Sequence, residues 1–402
     1  MKAWRVPYPK FGEGPGLARV AAAARRLGLD LTRFGEAGAV IVGSNGKGST
    51  ASMCAALLQQ ARGPVGLFTS PHLLDLNERF RVDGEDICDD ELARHWARVE
   101  GAIAREGLAA RIGAFEFLFL IAADWFAARG CAHTVWEAGI GGRLDPVKLI
   151  AARRVALTSL DLEHTALLGE TLEAIAREKI DAAPEGAALF FTETPIRAEI
   201  QSYCAARGVR AYFIAPAPEA PLAGAHQRAN AALAIALARD LAPLSDAAVA
   251  AGLAATRWPG RLEVLQREPL LVIDVGHTPA GVAAALEGFC ALAGDRPATL
   301  ICGASADKDW GAIIGALAPG FTRIITAAAR HKGAPAGEIA LAAARANPSA
   351  EIAAAESVAE ARKLALAGAR AGGAIYVAGG LFLAAEARAL HLGRDPSSLH
   401  FL

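Results

Sequence analysis

Short apolar or β-branched runs alternate with longer Ala-, Leu- and Arg-rich segments of helical apolar spacing along the whole chain. The runs 37–42 (AGAVIV), 65–69 (VGLFT), 132–136 (AHTVW), 154–159 (RVALTS) and 187–191 (AALFF) predict one series of strands. A second series follows at 270–274 (LLVID), 298–302 (ATLIC), 323–327 (RIITA) and 374–378 (AIYVA). Continuously apolar strands separated by helices belong to parallel sheets covered on both faces. Segment 256–269 (TRWPGRLEVLQREP) lies between the series, with two prolines, a glycine and clustered charges but no helical period, and predicts the seam. The expected fold is α/β. A mostly parallel sheet domain over 1–262 precedes a smaller Rossmann-like α/β domain over 263–402, with a linker at about 256–269.

Two stretches depart from the simple alternation. FEFLFLIAADWFAA at 115–128 is strongly apolar but interrupted by Glu116 and Asp124, so it predicts a buried core helix rather than a membrane span. The Ala-rich tract 336–373 keeps helical apolar spacing with interspersed Glu and Arg, and predicts two ordinary helices around a strand. No period of 20–50 residues repeats, which excludes solenoids and propellers.

Composition narrows the function class. With 41 basic and 42 acidic residues the net charge is −1, which offers no electrostatic footprint for nucleic acid or an anionic membrane. The six cysteines (Cys54, Cys88, Cys131, Cys204, Cys290, Cys302) include no C-x-x-C pair, and buried free thiols in a reducing cytosol are expected. MKAWRVPYPK at the start has no apolar stretch of the secretory kind, so a cytoplasmic protein is expected.

The densest chemical signal is VGSNGKGST at 42–50, between the strand at 37–42 and a helix expected from 51. Gly43, Gly46 and Gly48 permit a tight turn that aims N–H groups inward, Lys47 adds a charge, and Ser44, Asn45, Ser49 and Thr50 add polar groups at a helix N-terminus. This phosphate loop departs from the strict G-x-x-x-x-G-K-[ST] spelling, since Ile41 holds the first glycine position and Gly48 follows the lysine. Gly-rich strand-to-helix turns also arise for packing alone. Ligands in parallel sheets bind beyond the strands' carboxyl ends, and those ends carry Ser70-Pro71-His72, Glu137-Ala138-Gly139 and Asp161-Leu162-Glu163-His164. Each is also what an ordinary solvated loop offers. Together, at the edge that carries the phosphate loop, they point to a nucleotide–metal site with Mg2+ and ATP. Glu137 is then the principal metal carboxylate and Ser70 a hard ligand, while an imidazole from His164 signals tolerance for Mn2+.

These residues stand in motifs that resemble the Mur-ligase superfamily, specifically the folylpolyglutamate synthase/dihydrofolate synthase family. Eight occur in the family's order: GSNGKGST (43–50), TSPHLLDLNERFRVDG (69–84), FEFLF (115–119), WEAGIGGRLD (136–145), TSLDLEH…LGETLEAIAREK (158–179), HQRANAALA (226–234), RWPGRLE (257–263) and GASADKD (303–309). The resemblance implies a phosphate-loop domain followed by a glutamate ligase domain, and ATP-dependent amide ligation through an acyl phosphate. It implies Lys47, Glu137, His164 and Lys179 as catalytic, with Ser70, Glu137, His164 and Lys179 holding two Mg2+ ions, Lys179 as a carbamate. On sequence alone Lys179 reads as a solvated helix lysine. Asn230 matches an adenine contact and Arg261 a phosphate contact; Asp274 joins the nucleotide set. His72, Arg79, Phe115, His277, Ser305 and Asp307 are expected to face substrate, with Asn77, Glu78, Arg81 and Phe117 nearby, although aromatics at the 115/117 spacing also pack as core. The implied partners are ATP, L-glutamate and dihydropteroate or a reduced folate, with no nucleic acid and no membrane, acting on a monomer.

Several positions depart from the family pattern. DVGHTP (274–279) stands for DGAHNP, so Val275 replaces Gly and Thr278 replaces Asn; Gly380 replaces Ser in VAGGL; IDAAPEG follows Lys179 where AGIIKPG is usual; and Glu163 replaces Asp before the histidine. The alternatives that stay open are a ligase acting on a non-folate carboxylate and a nucleotide-binding regulator without catalysis. Retention of Glu137, His164 and Lys179 together argues against the regulator.

Overall fold

The computed structural model describes residues 4–369 and 372–402. Met1–Ala3, at the start of MKAWRVPYPK, and Arg370 and Ala371 of the Ala-rich tract lie outside the described residues. The first sheet contains β1 (Gly38–Val42), β2 (Val65–Phe68), β3 (Phe80–Val82), β4 (Glu85–Asp86), β5 (His133–Glu137), β6 (Arg154–Leu157), β7 (Ala188–Phe191) and β8 (Arg210–Phe213). The second contains β9 (Glu263–Arg267), β10 (Leu270–Ile273), β11 (Ala298–Cys302), β12 (Arg323–Thr326), β13 (Glu351–Ala354) and β14 (Ala374–Ala378). Their orders are β4-β3-β2-β5-β1-β6-β7-β8 and β13-β12-β11-β14-β10-β9.

Both faces of the first sheet are covered, and side-chain alternation assigns residues to them. Ala39 and Ile41 of β1 join the apolar cluster beneath helices Lys47–Leu58 and Gln227–Leu241, while Val40 and Val42 join the one beneath helices Leu17–Leu27 and Ala114–Ala128. The second sheet does the same with Leu270 and Val272 on one face and Leu271 and Ile273 on the other. Strand β1 lies between β5 and β6, where the order reverses after the chain has built β2 and β5 on one side. The turn after β1 therefore opens at a topological switch point.

Pairing is not parallel throughout. The β2–β3, β3–β4 and β9–β10 ladders are antiparallel, all at sheet edges. Strand β9 falls inside segment 256–269, so that segment is half connection and half edge strand. The 115–128 helix is buried as expected, and its two acids are answered: Glu116 by Arg19 at 2.7 Å, and Asp124 by His95 and Arg98 at 2.6 and 2.9 Å. Among the cysteines Cys54, Cys204 and Cys302 are buried, Cys131 is half-buried, and Cys88 and Cys290 are exposed, which corrects the expectation of generally buried thiols. Among the described residues no helix is long and apolar enough to cross a membrane.

Candidate active site

The helix after β1 spans Lys47–Leu58, so Lys47 is its first residue and not part of a loop ahead of a helix starting at 51. Gly46 precedes it with φ 87°, and a Cβ there would run into the Asn230 side chain, so backbone and packing both require glycine. The turn is laced to the exit of β6. Ser44 N–H donates to the Ser159 carbonyl at 2.8 Å, and Asp161 N–H donates to Ser44 Oγ at 3.1 Å. The first N–H groups of the helix have no helical acceptor, which with the helix dipole suits this end to an anion. Ser49 Oγ and Thr50 Oγ1 are buried without a protein partner, and so is Arg261 Nε.

Lys47 is the electrostatic centre. Its Nζ donates to the Gly43 and Ser44 carbonyls at 2.9 and 3.1 Å, and its charge acts on Glu137, Asp145, Glu163, His164, Lys179 and His277. Glu137, the last residue of β5, accepts the Ser70 N–H at 2.9 Å. Burial raises its pKa, with Lys47 the main opposing charge. Lys179 is fully buried, which removes the solvated reading: its Nζ donates to the Gly43 carbonyl and to Glu163 Oε1, both at 3.0 Å. Burial, then the Lys47 charge, lower Lys179 to about 8 against the opposing pull of Glu163. Burial raises Glu163, but Lys47 and Lys179 outweigh it and hold the carboxylate down at about 2. His164 stands beside this pair at φ 47°, and burial lowers its pKa.

From the connecting segment Arg261 brings its charge onto Glu137, Asp274 and His277, and from beyond β11 Lys308 brings its own onto His164 and His277. Burial, Lys308 and Arg261 push His277 down to about 4, leaving a neutral imidazole. Thr278 caps helix Pro279–Ala293, and its hydroxyl reaches Asn45 Oδ1 of the phosphate loop at 3.3 Å. Val275 packs where a Cβ on Gly260 would stand, 2.8 Å away. Gly380 has an extended φ of 171°, and a Cβ there meets nothing nearer than 3.8 Å.

Several expected site residues are engaged by the chain itself. His72 and Arg79 are buried: His72 Nδ1 accepts from Arg79 Nε at 3.0 Å, and its Nε2 reaches the His400 carbonyl at 2.7 Å. Neither opens to the cleft as a substrate contact. Both Asp274 oxygens accept backbone N–H groups, from Gly276 at 2.7 Å and Leu262 at 3.0 Å. Asn230 donates to Gln227 at 2.9 Å beneath Gly46. Phe117 is core against Trp96, whereas Phe115 is half-buried, 5.6 Å from the Phe68 ring and facing Gly139. Ser305 bridges to Gly333, and Asp307 is exposed with its charge on Lys10 and His331.

The sequence reading missed Asp145. Its carboxylate accepts N–H groups from Gly139, Ile140 and Val147 at 2.9, 3.3 and 3.0 Å, and burial pushes it up to about 6. It fixes the loop that follows Glu137. An Asp-Pro pair ahead of the short helix Pro146–Ile150 was the available signal.

Among the described residues no three His, Cys, Asp or Glu side chains gather to hold a metal alone. The partnerless Ser49 and Thr50 hydroxyls and the buried Glu137 carboxylate nevertheless fit a hard cation that keeps phosphate and water oxygens.

The profile of the Mur ligase glutamate ligase domain matches residues 260–381. The folylpolyglutamate synthase of Lacticaseibacillus casei is 32% identical over 320 residues, covering 71% of this chain and 74% of that protein. A probable bifunctional folylpolyglutamate synthase/dihydropteroate synthase of Halobacterium salinarum is 35% identical over 339 residues, 77% of this chain, but the chain spans only 41% of that longer relative. A crystal structure of the bifunctional folylpolyglutamate synthase/dihydrofolate synthase of Yersinia pestis, complexed with AMPPNP and Mn, superposes with a TM-score of 0.83 at 28% identity, covering 96% of this chain and 95% of that one.

Proposed function

Since this chain belongs to the folylpolyglutamate synthase/dihydrofolate synthase family, we propose that it is an ATP-dependent ligase joining L-glutamate to a pterin or folate carboxylate. Residues 1–262 carry ATP and metal, and 263–402 carry glutamate. The observation that supports this best is the set of buried, partnerless groups around Lys47: Ser49 Oγ, Thr50 Oγ1 and Arg261 Nε. Buried donors without partners are costly unless a ligand completes them, and these suit a triphosphate with its cation.

The acceptor carboxylate attacks the γ-phosphorus and ADP leaves, giving an acyl phosphate. The glutamate amine then attacks the acyl carbon and expels phosphate. Lys47 and Arg261 oppose the charge that develops on the transferred phosphoryl group. Glu137 and Ser70, with the Ser49 and Thr50 hydroxyls, would hold one Mg2+, and His164 with Lys179 as a carbamate a second; bound there, the ions neutralise phosphate charge. The incoming glutamate must shed a proton, and the neutral His277 imidazole is suited to accept it. Phe115 offers a half-buried flat surface to a pterin ring. The enzyme works as a cytoplasmic monomer.

A second reading, a different carboxylate acceptor, rests on Val275, Thr278 and Gly380. Val275 and Thr278 have packing and capping roles of their own, which leaves Gly380 as its main support. Phosphate release and product analysis with ATP, glutamate and a panel of pterin and non-pterin acids test both. Dihydropteroate is expected to react at least as well as reduced folates; turnover only with some other acid would overturn the folate acceptor and keep the ligase.

A further inference from the structure

The segment after helix Leu381–His391 leaves the second sheet and lies on loop 70–79 of the first. Arg394 donates from both terminal nitrogens to Asp75, at 2.6 and 2.8 Å. Phe401 is held on the second-sheet side by Phe382 at 4.7 Å and His331 at 5.3 Å, and its opposite contact is the His72 ring, stacked at 5.4 Å and 11°. Because His72 Nδ1 accepts from Arg79, its Nε2 is the protonated nitrogen and donates to the His400 carbonyl.

Arg79 continues the line. It is 3% exposed, and the charges that answer its guanidinium are Glu137 and Glu78. Glu78 accepts the N–H groups of Leu73, Leu74 and Asp75, and Glu137 accepts that of Ser70. One buried cation thus faces both carboxylates that shape the loop. A buried charge of this kind is tolerated only where geometry is fixed from several sides, and here one of those sides is the second sheet's own C-terminal segment.

We propose that His72 and Arg79 are positioning residues that transmit the docking of segment 394–401 to the Glu137 carboxylate, so that this wall of the site takes its working geometry only when the two sheets are docked. The role given to Glu137 rests on the ligase reading above. Outer-shell partners of this sort orient a ligand without touching the ion.

The full chain is compared with Arg394→Asp, the exchange Asp75→Arg/Arg394→Asp, His72→Leu and His72→Gln. Two readouts avoid turnover: Mn2+ titration of the AMPPNP complex by electron paramagnetic resonance, and hydrogen exchange in peptides spanning 70–79. Arg394→Asp and His72→Leu are expected to weaken Mn2+ binding about 10-fold and to speed exchange at 70–79, while the exchanged pair or His72→Gln returns both to within about 3-fold of the parent. Unaltered Mn2+ binding and exchange in both Arg394→Asp and His72→Leu would overturn the proposal, as would losses that neither compensating variant repairs. If the parent chain binds no Mn2+ with AMPPNP, the ligase reading fails, and hydrogen exchange alone still decides whether docking is transmitted.

Discussion

Burial gives Lys179 a chemistry that its helical sequence context hides. An amine near 8 is half neutral at that pH, and only the neutral form attacks carbon dioxide. The neutral fraction grows as pH rises through about 8, so a 13C-carbamate signal from labelled bicarbonate is expected to strengthen between about pH 7 and 9 and to be missing in Lys179→Ala. No signal at any pH would remove the carbamate. Lys47→Ala is expected to slow turnover by about 10²–10³ with melting temperature unchanged, since the side chain packs against little besides two carbonyls. Lys47, Glu137 and the glycines were legible because strand, turn and helix are written consecutively. The burial of His72 and Arg79 was not, because His72's carbonyl partner lies 328 residues along the chain.

Among elements, the buried strands were readable and most of the edges were not. Strands β3, β4, β8 and β9 are two to five residues long with at most one side buried, so no long apolar run marks them, whereas edge strand β13 was expected between the two helices of the Ala-rich tract 336–373. The 115–128 helix was legible from its apolar run, but not the partners of its acids. Asp124 ties it to helix Asp89–Arg105 through His95 and Arg98. Burial raises the Asp124 pKa, yet the hydrogen bonds from His95 and Arg98 outweigh it and leave it below the ordinary 3.8. A carboxylate so lowered stabilises the fold above the unfolded value and loses that contribution as pH falls below it. Asp124→Asn is therefore expected to cost about 3 kcal/mol at neutral pH and to flatten the loss of stability on acidification below about 4, measured by chemical denaturation.

At the scale of the molecule, two contacts flank the site: Thr278 on Asn45 beside the phosphate loop, and Arg394 on Asp75 within loop 70–79. Two sheets were legible in the alternation of runs, but nothing local marks where they touch. Among the departures in the second domain, Gly380 is left without a packing reason, and its extended backbone accepts a side chain. Gly380→Ser is expected to leave the melting temperature unchanged and to lower the Michaelis constant for glutamate about 5-fold, the worth of one added hydrogen bond. An unchanged constant would separate position 380 from glutamate.

The glycine that breaks the usual spelling of the phosphate loop has a neighbour. A Cβ on Gly48 would stand 2.7 Å from the Trp258 indole, whose ring also lies 5.2 Å from the Arg81 guanidinium. The connecting segment thus carries an aromatic chromophore onto the first turn of the phosphate-loop helix, beside the Arg81 guanidinium. Of the six tryptophans, Trp125 and Trp136 are sealed in the core, whereas Trp258 is half-buried at the site. Addition of AMPPNP is expected to change the intrinsic emission, and Trp258→Phe to abolish the change while leaving nucleotide affinity within about 2-fold. The molecule carries its own optical probe of nucleotide arrival.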